Sequence, residues 1–395
     1  MLDILLFLAL GVVFGIIMGL IPGIHPNMII LAVPVLAALN LGSMNVLAFI
    51  VSMGITNSIV DFIPSILLGA PDPGKELAVL PGHRLLLNGY GYEAIKLSVI
   101  GSLGGIIFVA VAFPLLMLVI PSIYAAAGPY IYIFLVSIVL LMILSEHGKK
   151  KIYAAAVFFS SGLIGLIINR LPIDATMILF PVFAGFFAVS MLLLQLRSNT
   201  KIPKQRQGQH FISSRLVNKS VIFGSLGGIA AGFLPGVGSS EIATIATVDK
   251  NEKSFLITVG ALTTANTILS IVCLFLINRT RSGLAVAINQ LVQIGFSDVF
   301  FIIAVSVVSA GIGCAITLFT AKKFASKIVK INYSMLSVAV ISLIFILTLF
   351  FTGILGLILL AVCTALGIAA NLQCIKRGSM MGVLILPTIL FYIGI

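Results

Sequence analysis

Apolar stretches long enough to cross a lipid bilayer follow one another along this chain almost without pause. Ile131–Leu144, Val299–Ala310 with its flanks, Leu336–Phe351 and Ile354–Ala370 are four of them. A crossing helix needs about 20 mostly apolar residues, and about a dozen segments come near that size. Only 9% of the residues are charged, where a soluble domain carries about 25%. No stretch is long and polar enough to fold by itself in water. The chain therefore reads as an all-α integral membrane protein, a polytopic helix bundle. The N-terminal Met1-Leu2-Asp3-Ile4 lacks the basic segment and small-residue cleavage site of a signal peptide. Residues 3–21 are thus expected to remain as the first span of a multi-pass protein of the cell membrane.

The net charge is +12, and the basic residues sit in short loops between spans. That is the pattern of cytoplasmic loops beside anionic lipid, not of a nucleic-acid surface. The clusters run from Lys75 to Lys96, Lys149 to Lys151, Arg197 to Lys219, Lys322 to Lys330, and over Lys376-Arg377. With each placed in the cytoplasm, 97–120 and 152–169 cross outward, and 129–145 and 174–195 return. In the second half, 298–320 and 354–374 cross inward, and 333–351 and 379–395 cross outward. The four cysteines, Cys273, Cys314, Cys363 and Cys374, form no Cys-x-x-Cys pair and lie in or beside apolar runs. Buried free thiols are expected, with no disulfide and no metal.

The sequence also repeats. Gly11-x3-Gly15-x3-Gly19-x2-Pro22-Gly23 returns as Gly224-x3-Gly228-x3-Gly232-x2-Pro235-Gly236, at an offset of 213. Thr56-Asn57-Ser58-Ile59-Val60 is echoed by Ala265-Asn266-Thr267-Ile268-Leu269. The loop charges orient the two copies oppositely: the basic loop after the first is cytoplasmic, and its counterpart near 283–297 comes out external. Residues 1–195 and 220–395 thus read as two inverted-topology repeats joined by a basic cytoplasmic linker, 196–219. Secondary transporters are often built this way, with the site near the bilayer midplane between the halves.

Small residues one helical turn apart let helix backbones approach closely, and ordinary tight packing accounts for the glycines. The Pro-Gly pairs ask for more. Proline lacks a donor and clashes with the preceding turn, and glycine loosens the backbone. The freed polar groups are tolerated in a membrane only where protein or a water-filled cavity receives them. A re-entrant or discontinuous helix is expected at each break. Polar tips follow: His25 and Asn27 after Pro22-Gly23, and Gly238, Ser239, Ser240 and Glu241 after Pro235-Gly236. A half-helix starting there would aim its positive end at an anion. With Thr56, Asn57, Ser58, Asn266 and Thr267, the two Pro-Gly pairs and these tip residues other than Glu241 form the candidate substrate site.

The run from Gly15 through Pro22-Gly23 to Pro26, followed by Leu31-x2-Pro34, resembles the N-terminal signature of the tripartite tricarboxylate transporter permease family. So do Leu80-Pro81-Gly82-His83-Arg84-Leu85, Asn88-Gly89-Tyr90-Gly91-Tyr92-Glu93-Ala94 and Gly101-Ser102-Leu103-Gly104-Gly105. Gly232-x2-Pro235-Gly236-x-Gly238 matches that family's second repeat. The resemblance implies ion-gradient-driven import of di- and tricarboxylates, with a site at the two Pro-Gly tips. It also implies a small membrane subunit and an extracytoplasmic receptor as partners.

Charges at the bilayer centre cost about 2.5–3.5 kcal/mol on the insertion scale, so intramembrane acids call for a function. Asp61, one turn past Asn57, and Glu241, in the second tip, are the candidates for a coupling sodium ion or proton; no other cofactor is expected. The alternatives are an interfacial cap before Pro64 for Asp61 and a dipole-stabilised first-turn carboxylate for Glu241. Asp298 and Asp174 read as caps, and His83, His147 and His210 as solvated loop residues. An enzyme is not expected: no acid-rich motif, His-x3-His pair or Ser–His arrangement supplies a metal site or a nucleophile with its base. The competing reading is a translocase of polyprenyl phosphate or another lipid phosphate, since helix N-termini suit phosphate as well as carboxylate.

Overall fold

Among the described residues, eight helical runs are long and apolar enough to cross a membrane. The computed structural model describes residues 2–21, 29, 32–67, 76–173, 175–196, 203–206, 212–233, 242, 247, 251–280, 282–327 and 333–394, and their regular structure is all helix. In chain order the helices are α1 (Leu2–Leu20), α2 (Val33–Ala38), α3 (Ser43–Val60), α4 (Phe62–Leu67), α5 (Glu76–Leu87), α6 (Gly91–Ala127), α7 (Ile131–Leu144), α8 (Lys150–Ile168), α9 (Ala175–Phe183) and α10 (Ser190–Leu196). There follow α11 (Ser214–Phe233), α12 (Glu252–Ile277), α13 (Gly283–Leu291), α14 (Phe296–Lys327), α15 (Tyr333–Leu372) and α16 (Gly382–Ile393). The chain is a polytopic helical membrane protein.

The chain divides into two compact units, and neither is one half of the sequence. The first holds α1–α5, α6 as far as Tyr124, and α11–α14; the second holds α7–α10, α15 and α16.

In the first unit α1 lies on α3 through glycines. A methyl group added at Gly15 would sit 2.5 Å from the Met53 carbonyl oxygen and 3.1 Å from the Asn57 nitrogen; at Gly19 it would sit 2.9 Å from Val60 Cβ. Helix α11 meets α12 in the same way. At Gly228 the distances are 2.5 Å to the Leu262 oxygen and 3.1 Å to the Asn266 nitrogen; at Gly232, 2.9 Å to Leu269 Cβ. Residue numbers differ by 213 on the glycine helices (228 against 15) and by 209 on their partners (266 against 57) at every one of these contacts. Any side chain larger than hydrogen would force the backbones apart.

Both pairs are parallel. Along α1 the contact moves from Phe49 at Gly11 to Val60 at Gly19, and along α11 from Thr258 at Gly224 to Leu269 at Gly232. Leu20 and Ser43 therefore lie at opposite ends of the first pair, as Phe233 and Glu252 do of the second. No tight turn joins parallel neighbours.

The third long helix of each half crosses the other half's pair. Helix α6 crosses α12 so closely that a methyl at Gly101 would collide with the Ile257 carbonyl, and one at Gly260 with the Ser98 carbonyl. Thr264 Oγ1 donates to the Ser102 carbonyl at 2.9 Å, and Ser102 Oγ to the Gly260 carbonyl at 3.3 Å. Helix α14 packs on α3, with Gly313 against Thr56. Helices α6 and α14 themselves run antiparallel: Cys314 Sγ is 3.9 Å from the Val99 carbonyl, and the Phe300 ring meets Phe113 at 5.7 Å between centroids.

Part of the basic linker is fastened to this unit. The Arg206 N–H donates to the Gly89 carbonyl at 2.7 Å, and Gln205 accepts from the Gly91 N–H at 2.8 Å.

In the second unit α8 and α16 are parallel neighbours. Gly382 lies on the Phe158 carbonyl, and a methyl at Gly165 would be 2.9 Å from Pro387 Cγ. A π-helical turn, Ala184–Val189, joins α9 to α10 and packs parallel to the second part of α15. A methyl at Gly185 would be 2.8 Å from the Leu360 oxygen, and one at Gly367 2.9 Å from Ser190 Cβ. These directions agree with the shared outward sense read for 152–169 and 379–395, and the shared inward sense read for 174–195 and 354–374. Helix α15 doubles back at Gly353, whose φ of +64° and ψ of −157° are open to glycine almost alone. A methyl at Gly356 would lie 3.3 Å from Thr348 Cγ2, although a straight helix would hold these residues about 12 Å apart. Val340, Ile344 and Leu360 then close one apolar cluster with Ala184, Ala188, Val189 and Leu192.

Three sequence expectations need correction. Cys273, Cys314 and Cys363 are buried free thiols, but Cys374 is exposed, because it lies past the end of α15 in a left-handed turn, φ +51°. Asp298 is not the cap residue before α14: it stands within the first turn, where its Oδ2 accepts from the Gly295 N–H at 2.8 Å. His83 belongs to α5 and is half-buried rather than solvated. Asp174 and His210 lie outside the described residues.

Candidate functional site

Helix α3 is apolar enough to span a membrane, yet its last turns carry Thr56, Asn57, Ser58 and Asp61, which are 0%, 1%, 6% and 4% exposed. Burial on every side explains the near-absence of an amphipathic pattern in this helix: α1, α13 and α14 all pack against it. Asp61 ends the helix. Its N–H still donates to the Asn57 carbonyl at 3.0 Å, and α4 begins at the next residue with Pro64 inside it.

These polar groups differ in how they are used. Ser58 Oγ donates to the Ile55 carbonyl at 2.8 Å, within its own helix. Ser65 Oγ donates to Asp61 Oδ2 at 3.2 Å. Thr56 Oγ1 and Asn57 Nδ2 are buried and have no hydrogen-bond partner among the described residues. A polar atom left in that condition costs about 1–3 kcal/mol, so a ligand that satisfies it gains affinity. Thr56 is held between two glycines: a methyl at Gly15 would be 2.9 Å from its Cβ, and one at Gly313 would be 3.6 Å from its Cγ2.

The matched segment on α12 is more open. Asn266 and Thr267 are half-buried. A methyl at Gly232 would lie 3.7 Å from Asn266 Oδ1, and Thr267 Oγ1 donates to the Thr263 carbonyl at 2.9 Å. Of the two asparagines at corresponding places, one is sealed and the other accessible.

The tips themselves, Pro22, Gly23, His25, Asn27, Pro235, Gly236, Gly238, Ser239, Ser240 and Glu241, lie outside the described residues. Sequence reasoning passed over two buried hydroxyls on α14, the helix whose Gly313 meets Thr56. Ser309 and Thr317, one turn either side of Gly313 on α14, are fully buried, and their hydroxyls have no hydrogen-bond partner among the described residues. Nothing in the sequence sets them apart from Ser306, whose hydroxyl is spent on the Ile302 carbonyl at 2.7 Å.

A family model described as the tripartite tricarboxylate transporter TctA family matches residues 5–382. The chain belongs to that family. An uncharacterized protein of Methanocaldococcus jannaschii is 31% identical to it over 401 residues, covering 98% of this chain and 99% of the relative. No solved structure matches. TctA proteins form a transporter family. The match runs through both glycine helices, α3 and α12, so the buried polar residues described above belong to a transporter's membrane core.

Proposed function

We propose that the chain is a secondary carrier that moves a small organic anion, a di- or tricarboxylate, down the gradient of a co-transported sodium ion or proton. Its two halves, 1–195 and 220–395, act as inverted repeats. The observation that carries this reading is the exchanged, antiparallel pair α6 and α14. Each is the third long helix of its half, each crosses the other half's glycine-packed pair, and they run in opposite directions. The parallel α1/α3 and α11/α12 pairs support the reading of discontinuous crossings at the two Pro-Gly breaks. The unequal burial of Asn57 and Asn266 suits a carrier that exposes its site to one side at a time. Neutral amide and hydroxyl donors at Thr56, Asn57 and Asn266 bind carboxylates there without burying a fixed positive charge, whereas the Ser58 and Thr267 hydroxyls are spent on carbonyls of their own helices. The tripartite family name supports two further components, a small membrane subunit and an extracytoplasmic receptor, at the cell membrane.

Thermal stability of the purified protein across a panel of carboxylates tests the reading, because a ligand that binds only the folded state raises the melting temperature by mass action. Stabilisation by a carboxylate, lost in Asn57→Ala and Asn266→Ala, is expected. Stabilisation by a polyprenyl phosphate and by no carboxylate would replace the carrier with a lipid-phosphate translocase.

A further inference from the structure

The short helix α13 touches both asparagine-bearing helices within its first turn. On α3, a methyl at Gly54 would lie 2.5 Å from Leu284 Cδ1, so the Leu284 side chain fills the notch that this glycine leaves. On α12, the Ser270 and Ser282 hydroxyls are hydrogen-bonded at 3.0 Å. Ser282 Oγ also caps α13 by accepting from the Ala285 N–H at 3.2 Å. Ser282 and Leu284 are two residues apart, so the two contacts lie at one level.

Helical spacing shows which faces are touched. Gly54 stands three residues before Asn57 and four before Ser58 on α3. Ser270 stands three residues after Thr267 and four after Asn266 on α12. Residues three and four apart share a helix face, so α13 meets each polar stripe one turn from its asparagine. Both meetings fall on the same side of the asparagines, because α3 and α12 are antiparallel. The α3–α4 run ends beside the start of α6, where a methyl at Gly91 would be 3.3 Å from Leu67 Cδ2, and α6 runs with α12, from Ile257 at Gly101 to Ala261 at Gly105. Helix α5, which precedes α6 as α13 precedes α14, holds the opposite end through Arg84 and Glu252 at the start of α12.

The contacts of α13 differ in kind from those of the long helices. At Gly15 and Gly101 backbones touch, whereas α13 reaches Gly54 with the flexible end of one leucine, itself 2% exposed. Its first turn is buried and its last, at Asn289 and Gln290, is exposed. A side chain can leave a glycine notch without parting two backbones. The closed arrangement also leaves Asn57 Nδ2 without a partner among the described residues, a cost that admission of water or a ligand removes. We infer that α13 is a lid over the stripes that carry Asn57 and Asn266, and that Leu284 is the side chain that seals it. Loop charge puts the 283–297 segment outside, so the lid closes the external approach. Its purpose rests on the carrier reading above; its opening does not.

The test reads the accessibility of a thiol, not transport. Ser58→Cys exchanges oxygen for sulfur on the Gly54 stripe, at a residue 6% exposed. It is made in the full-length protein with Cys374→Ser, purified in detergent without carboxylate, and probed with a small water-soluble methanethiosulfonate. The same proteins retaining Ser58 give the background from Cys273, Cys314 and Cys363. Labelling should be slow while Leu284 is present. Leu284→Ala should speed it by about tenfold or more, since a buried group reacts in proportion to the population of the opened state. Ser282→Ala, which unties α13 from Ser270, should speed it as well. Leu284→Met, which conserves volume, should leave it slow. So should Leu135→Ala, an equal truncation of a buried leucine in the second unit. The melting temperature of each variant shows that it is folded; where Leu284→Ala does not melt cooperatively, Leu284→Val and Ser282→Ala carry the test. No acceleration in the folded Leu284 and Ser282 variants, or equal acceleration in Leu135→Ala, would overturn the lid. Stabilisation of the protein by a carboxylate without that acceleration would remove the lid and leave the carrier. Acceleration with no stabilisation by any carboxylate would do the reverse.

Discussion

Thr56 and Gly313 meet where α3 and α14 cross, with the place of a Gly313 methyl 3.5 Å from Thr56 Cα. That is ordinary van der Waals distance, so glycine is not required there by space. Gly313→Ala should fold and gain about 0.5–1 kcal/mol from reduced backbone freedom. Gly101→Ala, which drives a methyl into the Ile257 carbonyl, should lose about 1–3 kcal/mol or more through overpacking. Melting in detergent separates the two. If both substitutions cost the same, α14 packs on α3 as tightly as α6 packs on α12.

The glycine rows show what the sequence could and could not convey. Gly-x3-Gly spacing announces a helix face that another backbone touches, and the 213-residue offset says that this happens twice. Loop charge agrees with the relative directions of α8 with α16 and of α10 with the second limb of α15, because lipid asymmetry acts on each loop separately. The exchange of α6 and α14 between the halves had no such local signal: it depends on contacts more than 150 residues apart, such as Ser102 with Gly260. The hydroxyls of Ser309 and Thr317 were equally hidden. A serine or threonine in a membrane helix usually bonds back to its own backbone, as Ser306 and Thr352 do, and only three-dimensional packing distinguishes those that do not.

Thiol chemistry offers a test of orientation. Among the four cysteines only Cys374 is exposed, and it lies beside the Lys376-Arg377 cluster assigned to the cytoplasm. A membrane-impermeant maleimide should label the protein quickly in inside-out vesicles and slowly in right-side-out vesicles, and Cys374→Ser should abolish the fast labelling. Fast labelling from the opposite side would reverse the topology of the second half.

Arg84 of α5 and Glu252 at the start of α12 pair at 2.6 Å, with side chains 65% and 31% exposed. Water screens such a pair, so Arg84→Ala should cost no more than about 1 kcal/mol. Its value lies in joining segments 168 residues apart. Exchanging the two, Arg84→Glu with Glu252→Arg, should recover most of what either single reversal loses. A double-mutant cycle on melting temperature measures the recovery, and strict additivity would mean that the pair contributes nothing.

Glu146, between α7 and α8, is buried and accepts the Lys376 N–H at 2.8 Å. This bond fastens the loop after α15 to the loop before α8. Glu146→Ala leaves a backbone donor without its acceptor and should cost about 1.5–3 kcal/mol. Glu146→Gln keeps an oxygen in place and should cost less. Equal losses in the two variants would show that charge, not the bond to Lys376, is what the position supplies.

Gly353 and Gly311 form a controlled pair. Neither has any atom within 4 Å of the place a methyl would take, so alanine meets no steric resistance from neighbours at either site. They differ in backbone alone: Gly311 lies within helix α14, and Gly353 holds φ +64° with ψ −157° at the tip of α15. Gly311→Ala should be neutral or slightly stabilising. Gly353→Ala must either keep a conformation costing about 1–3 kcal/mol or straighten the helix. Straightening would part Val340 and Ile344 from Leu360 and open the cluster they share with Ala184 and Leu192. Either outcome lowers the melting temperature relative to Gly311→Ala. If the two variants melt together, the fold-back does not depend on the glycine backbone, and the apolar cluster alone holds the hairpin closed.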